Sequence, residues 1–166
     1  MPAHEELLLD LIRDAFGDVA LGDGISLHEA RAIDNYCTLE KRREARAKDT
    51  EESWQQIPDA VIEEHYDIFP FLDAKGFRYL LPAYMCWTVR YLKKSQSCTS
   101  EFIVYALMPR CWLAEEGEKN VLFEQLTDKQ RRAVAQFLIW KEKEDGPLNA
   151  EDAREALDEY WDQYST

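Results

Sequence analysis

Apolar side chains recur at three- and four-residue intervals along most of the chain, which is the spacing of helices that bury one face. This pattern predicts a first helix over residues 4–16, and Gly17 breaks it. The next helix begins after Ser26, because Ser26 and Glu29 have the spacing of a capping box. A charged continuation, EKRREARAK, predicts that this second helix extends to about Lys48.

Prolines divide the middle of the chain. A loop is predicted over residues 49–57, with Trp54 as its anchor in the core. Pro58 suits the first position of a following helix, where its missing N–H costs nothing. We expect Pro70 to end that segment near Phe69, since the residue before a proline is biased away from helical angles.

The most apolar helical stretch, RYLLPAYMCW, follows a capping residue, Asp73. Its central Pro82 cannot donate a hydrogen bond to the carbonyl of Arg78, and a proline inside a helix costs about 3 kcal/mol. Two structures satisfy this constraint. Either one helix ends near Leu80 and a second begins with Pro82, or a single helix over residues 74–93 bends at the proline.

The C-terminal half alternates short apolar segments with turns. The segment at residues 101–108 is too short for periodicity to separate a buried strand from a helix. Gly117 marks a loop, and Thr127 with Gln130 forms a second capping box at the start of a long helix. Asn149 is the predicted cap of the last helix, which has acids in its first turn.

About six helical segments, without an internal repeat or a low-complexity linker, predict a mainly α fold. We therefore expect a single-domain helical bundle over residues 1–166, with one short strand or extra helix near 101–108. A chain of this length buries about two-thirds of its unfolded surface. It needs neither a disulfide nor a metal ion to fold.

The charge is strongly negative, with 33 acidic and 20 basic residues and a net charge of −13. This charge disfavours nonspecific binding to nucleic acid and to an anionic membrane surface. It favours a basic protein as partner. Residues 71–98 hold five bases and one acid, whereas the flanking segments 51–70 and 146–166 hold six acids each. We expect the central bases to pair with acids inside the fold.

No motif predicts catalysis, a metal ion or a cofactor. The four cysteines include no CxxC pair, which indicates free thiols in a reducing cytoplasm. A metal site of His28 and His65 lacks further converging ligands. A nucleophilic Cys86 activated by His65 is disfavoured, because its apolar helix raises the cost of a thiolate. The first residues are acidic where a signal peptide needs bases, and the longest uncharged stretch is far shorter than the ~20 residues of a membrane span.

A candidate binding site surrounds Pro82. A bend at the proline turns the neighbouring aromatic side chains in more directions than a straight helix allows. We expect Arg78, Tyr79 and Tyr84 to present hydrogen-bond donors to an anionic or polar ligand in a pocket beside the bend. The charge pattern itself favours internal pairing of the basic segment with acidic helices, and the pocket is the alternative interpretation.

Four stretches in order, DGISLHEARAID, WQQIPDAVIE, FLDAKGFRYLLPAYMCW and ALDEYW, resemble an uncharacterised bacterial family that is known only as a domain of unknown function. The resemblance extends from about residue 10 to residue 162. It implies a bacterial cytoplasmic protein with one domain, whose central segment is FLDAKGFRYLLPAY. It implies no activity, cofactor or catalytic residue.

These observations favour an acidic cytoplasmic protein that acts by binding rather than by catalysis. A regulatory module fits this description, and so does an immunity protein that neutralises a toxin. The alternative is a small-molecule binder or an enzyme of unrecognised type, with its pocket beside Pro82. A third hypothesis is mimicry of nucleic acid by the acidic surface, which requires carboxylates in duplex-like rows.

Overall fold

The computed structural model describes residues 2–112, 120–147 and 150–166, and in these residues the regular structure is helical throughout. The α-helices are α1 (Ala3–Phe16), α2 (Leu27–Asp34), α3 (Leu39–Arg46), α4 (Asp59–Glu64), α5 (Ala74–Tyr91), α6 (Thr99–Ala106), α7 (Val121–Glu124), α8 (Asp128–Glu144) and α9 (Ala150–Glu159). Single 3-10 turns lie at Trp54–Gln56, Phe69–Phe71, Pro109–Cys111 and Trp161–Tyr164. The mainly α prediction is confirmed, whereas about six helices is too low for the described residues. The segment near 101–108 forms a helix, α6.

The prediction of a continuous second helix to about Lys48 is wrong. The chain leaves helical geometry after Asp34, and a new helix starts after Thr38, whose hydroxyl accepts a hydrogen bond from the Lys41 N–H at 3.4 Å. The charged run that follows is helical as expected, but it belongs to α3. A buried stripe cannot reveal this break, because α3 has no buried residue.

The prolines act close to where the sequence suggested, with shifts of one to several residues. Pro58 is the residue before α4 rather than its first position. That helix ends at Glu64, so the expected end near Phe69 is wrong, and Pro70 belongs to a separate 3-10 turn. Trp54 is buried as predicted and donates from its indole Nε1 to the Phe16 carbonyl at 2.9 Å.

Two capping boxes were predicted, and both are present. At α8, the Thr127 hydroxyl accepts from the Gln130 N–H at 3.2 Å, and the Gln130 amide oxygen accepts from the Thr127 N–H at 3.1 Å. At α2, the Glu29 carboxylate accepts from the Ser26 N–H at 3.3 Å. The Ser26 hydroxyl lies at the cap but outside strict hydrogen-bond geometry. The predicted loop at Gly117 and the predicted cap Asn149 lie outside the described residues.

Helix α5 is the centre of the fold. It runs unbroken through Pro82, so the prediction of one continuous helix is confirmed, while the bend at the proline stays a prediction. The helix ends at Tyr91 rather than at residue 93. Every residue from Leu80 to Val89 is buried. Around α5 pack α1, α4, α6 and α7, while α8 packs against α1 and α9. Because full burial of one large apolar side chain contributes about 1.5–3 kcal/mol, this helix carries a large share of the stabilising contacts.

The start of α5 is locked to the loop before α2. Asp73 Oδ1 accepts from the Gly76 N–H at 2.8 Å, which caps the helix, and from the Ile25 N–H at 2.9 Å. A side chain at Gly76 would overlap the carbonyl oxygen of Ile25. The DAKG sequence therefore combines a helix cap with the close approach of a second backbone, which only glycine permits.

Three of the bases in the central segment form ion pairs around α5. Lys75 pairs with Asp23, Arg90 with Asp59 at 2.5 Å, and Lys93 with Glu144. Internal pairing was expected, but of these acids only Asp59 comes from the two acidic segments that the sequence singled out. Exposed pairs of this kind contribute about 0–1 kcal/mol each. No helix in the described ranges is both long and apolar enough to cross a membrane.

Candidate functional site

The turn between α2 and α3 holds a tyrosine in a backbone conformation that usually requires glycine. The Tyr36 N–H donates to the Ile33 carbonyl and the Cys37 N–H to the Ala32 carbonyl, each at 2.9 Å. These two bonds define a Schellman motif, whose left-handed residue is usually glycine. Tyr36 has φ +54°, and it is the one non-glycine residue with positive φ in the described parts of the chain. A residue with a Cβ is destabilised there by about 1–2 kcal/mol.

In the described parts of the chain, the strained residue is almost free of packing contacts. The Tyr36 side chain is 95% exposed, and Leu39, three residues later, is 69% exposed. We call residues Asn35–Leu39 the α2–α3 corner. Arg42 donates from Nε to the Cys37 carbonyl at 2.9 Å, which fixes the corner from the α3 side. The corner thus presents two large apolar side chains on a backbone with defined hydrogen bonds.

Arg31 fixes the α2 side of the corner. Its Nη1 donates to Asp34 at 2.6 Å, its Nη2 to Asp67, and its Nε to His65 Nδ1 at 3.2 Å. The last turn of α2, which leads directly into Tyr36, is therefore tied to the segment after α4. Since all three edges of the guanidinium are occupied, Arg31 acts as a structural clamp.

Two histidines meet beside this clamp. The His28 and His65 rings lie edge to face with centroids 5.0 Å apart, and His28 Nδ1 bonds Asp49 at 2.6 Å. Burial, together with the charges of His28 and Arg31, lowers the pKa of His65, while Glu64 and Asp49 act in the opposite direction. Because Arg31 donates to Nδ1, the neutral His65 ring carries its proton on Nε2.

The histidine pair brings together the two residues that the sequence analysis weighed as a metal site. No third histidine, cysteine or carboxylate completes a metal-binding group in the part of the chain that the structure describes. The pair instead borders an open cavity of about 410 Å3, which Cys37 and Lys41 also line. Cys86 lies in the core, and burial raises the pKa of its thiol to about 11, so it is protonated near neutral pH.

Within the described residues, the three residues of the predicted pocket lie in different surroundings. Tyr84 is fully buried, and its hydroxyl donates to the His65 carbonyl at 2.7 Å. Tyr79 is 6% exposed and borders a cavity of about 190 Å3 near Glu51, and burial raises its pKa to about 12. Arg78 borders a different cavity, of about 520 Å3, at the start of α8. Successive helical residues point about 100° apart, which explains why Arg78 and Tyr79 face different sides of α5.

The α2–α3 corner is not evident from the sequence. A glycine would have signalled the end of a helix, but the chain has tyrosine at that position. The remaining signal is the pair Asn35 and Thr38, since asparagine is common where helices end and threonine where they begin. That signal is weak beside the long charged run that continues to Lys48.

The described residues define an all-helical protein with one continuous hydrophobic core and an exposed corner held by backbone hydrogen bonds. A family model described as "Family of unknown function (DUF6714)" matches residues 4–165, and the chain belongs to this family. The resemblance seen in the four sequence stretches, to a domain of unknown function, is thereby confirmed. The chain matches no curated protein and no solved structure.

Proposed function

We propose that this protein is a protein-binding module and that Tyr36 is an anchor residue of its binding surface. One observation carries the proposal: a tyrosine occupies a left-handed backbone conformation that favours glycine, and its side chain is 95% exposed. The fold would be more stable with glycine there. Backbone strain of this kind is concentrated at functional sites, and here the side chain that causes it is free to contact another molecule.

The chemistry of the corner suits a protein partner. Tyrosine is enriched among residues that dominate binding energy, because it adds a large ring and a hydroxyl group at low entropic cost. Leu39 extends the apolar surface beside it. A specific interface buries about 1,200–2,000 Å2 in total, so the partner must also cover neighbouring surface on α2 and α3.

Electrostatic attraction acts at longer range than the direct contacts of the α2–α3 corner. The net charge of −13 attracts a basic partner and accelerates its approach at low ionic strength. Near the corner, by contrast, exposed bases such as Lys41 and Arg43 alternate with Glu40 and Glu44. We therefore assign the association rate to overall charge and the lifetime of the complex to Tyr36. If the protein is a regulator, its target is a partner of this kind; if it is an immunity protein, the toxin that it neutralises is one.

The test is affinity capture from the native cytoplasm with four matched baits. Wild-type protein should recover a stoichiometric partner, while Tyr36→Gly and Tyr36→Ala should lose it. Tyr105→Ala is the control, because Tyr105 is also a partly exposed tyrosine but lies on α6. The recovered partner is then purified, and its dissociation rate should rise at least tenfold with Tyr36→Gly. Equal capture by all four baits, or no stoichiometric partner, would refute the proposal.

A further inference from the structure

We infer that the cavity between α1, α5 and the start of α8 binds a small zwitterion of the amino-acid type, with its carboxylate on Arg78 and its ammonium group on Asp18. The cavity has a volume of about 520 Å3, within the range of small-molecule sites, which is roughly 300–1,000 Å3. It is separate from the α2–α3 corner, and the inference does not depend on the proposed function.

Arg78 is held in position before any ligand arrives. Its Nε donates to Gln130 Oε1 at 3.1 Å, and Gln130 is only 2% exposed. Gln130 is fixed in turn, because its Nε2 donates to the Ala15 carbonyl and its Oε1 accepts from the Thr127 N–H, both at 3.1 Å. The orientation of the guanidinium is therefore set by α1 and α8 together.

The two Nη groups of Arg78 remain available. Within residues 2–112, 120–147 and 150–166 they make no hydrogen bond and no ion pair. An oriented pair of Nη groups matches the two oxygens of a carboxylate, and such paired bonds are stronger than neutral ones. The position that we assign to the carboxylate follows from this geometry.

The charges around the cavity select a ligand without net charge. Lys75 pairs with Asp23, and Lys129 pairs with Asp14 at 2.7 Å, so these four charges cancel. Arg78 and Asp18 also line the cavity, and neither has an ion-pair partner in the described parts of the chain. A phosphate-bearing ligand would meet three aspartates, and a simple cation would meet Arg78. A zwitterion satisfies both remaining charges.

The rest of the lining accommodates a small apolar group. Ala15, Val19, Ala20 and Leu21 contribute apolar surface between the charged residues. This composition favours amino acids with aliphatic side chains over large or acidic ones.

The experiment measures binding of leucine and two matched probes by calorimetry and by thermal shift, since a ligand of the folded state raises the melting temperature. 4-Methylvalerate lacks the ammonium group of leucine, and isopentylamine lacks the carboxylate. Alanine, valine and inorganic phosphate complete the panel. An aliphatic amino acid should bind at least tenfold more tightly than either matched probe or phosphate. Binding of phosphate or of either probe as tightly as the amino acid would overturn the inference, as would no binding by any aliphatic amino acid.

Variants locate the site. Arg78→Lys keeps the charge but removes the pair of Nη groups, and Asp18→Asn removes an exposed charge in a loop; each should weaken amino-acid binding at least tenfold. Glu6→Gln, an exposed change on α1 outside the cavity, should leave binding unchanged. Tyr36→Gly should also leave it unchanged, which separates this site from the corner. Wild-type affinity in the folded Asp18→Asn variant would refute the assigned position.

Discussion

Replacement of Tyr36 by glycine should stabilise the protein although it deletes a large side chain. The left-handed backbone destabilises a residue with a Cβ by about 1–2 kcal/mol, and glycine removes that strain. Glycine also gives the unfolded chain more freedom, which offsets about 0.4–1 kcal/mol. The ring is 95% exposed, so its deletion removes almost no burial. The net expectation is a gain of about 0.5–1 kcal/mol in the free energy of unfolding.

The assay is urea denaturation followed by tryptophan fluorescence, supported by thermal melts. For a domain of this size, 1 kcal/mol corresponds to about 2–4 °C in melting temperature, so the shift is measurable. Tyr36→Ala is the matched control, because alanine lacks the ring but retains the strain; it should not be stabilised. Arg43→Gly, on the exposed side of α3, should be destabilised by about 0.5–1 kcal/mol, since glycine is unfavourable inside a helix.

The comparison can fail in a clear way. If Tyr36→Gly is less stable than Tyr36→Ala, the corner is not strained, and exposure alone remains as the argument for an anchor. If both variants are equally destabilised, the ring contributes to the isolated fold. A stabilised Tyr36→Gly that still binds the partner at wild-type affinity would preserve the structural reasoning and refute the functional one.

Three further predictions concern the interior. Gly76→Ala should lower stability by about 1–3 kcal/mol in urea denaturation, because a Cβ overlaps the Ile25 carbonyl and overpacking outweighs helix propensity. The pKa of His65 is lower in the folded state, so as the pH falls the unfolded state takes up a proton before the folded state does. The free energy of unfolding of the wild type should therefore decrease as the pH drops below about 6.5, and His65→Asn should remove that contribution to the pH dependence. Asp145→Ala should cost about 3–5 kcal/mol by leaving buried Lys141 without its partner, while the double variant with Lys141→Met should recover most of the loss.

Each of the three predictions would be contradicted by a specific result. Stabilisation by Gly76→Ala would mean that helix propensity dominates and that the approach of the two backbones is looser than described. An unchanged pH slope with His65→Asn would assign the acid sensitivity to other groups. An Asp145→Ala variant of wild-type stability would mean that water reaches Lys141 and that the pair is not structurally required.

The sequence predicted those features that depend on neighbouring residues. The first helix, the Thr127–Gln130 box and the Asp73 cap were all correct. The helix follows from apolar spacing along one short segment, and each cap follows from side chains within one turn. The break at Tyr36 was missed because it is stabilised by backbone bonds, from the Tyr36 N–H to Ile33 and from the Cys37 N–H to Ala32, that leave no mark in the sequence. The usual marker, glycine, is absent.

The candidate pocket shows a different limit. The sequence identified Arg78 as a donor, and the structure finds it beside a cavity. Closeness in the chain groups Arg78 with Tyr79 and Tyr84, yet the direction of each side chain around α5 separates them. The position of Arg78 depends on Gln130, 52 residues away in the chain, and no local pattern contains that information.

The carboxylate of Asp73 has a consequence for how the molecule opens. One oxygen, Oδ1, accepts from two amides that lie far apart in the chain, those of Gly76 and Ile25. Fraying of the first turn of α5 therefore releases the loop before α2, and release of that loop exposes the turn. In hydrogen–deuterium exchange the two amide protons should report the same opening free energy, and Asp73→Ala should accelerate both together.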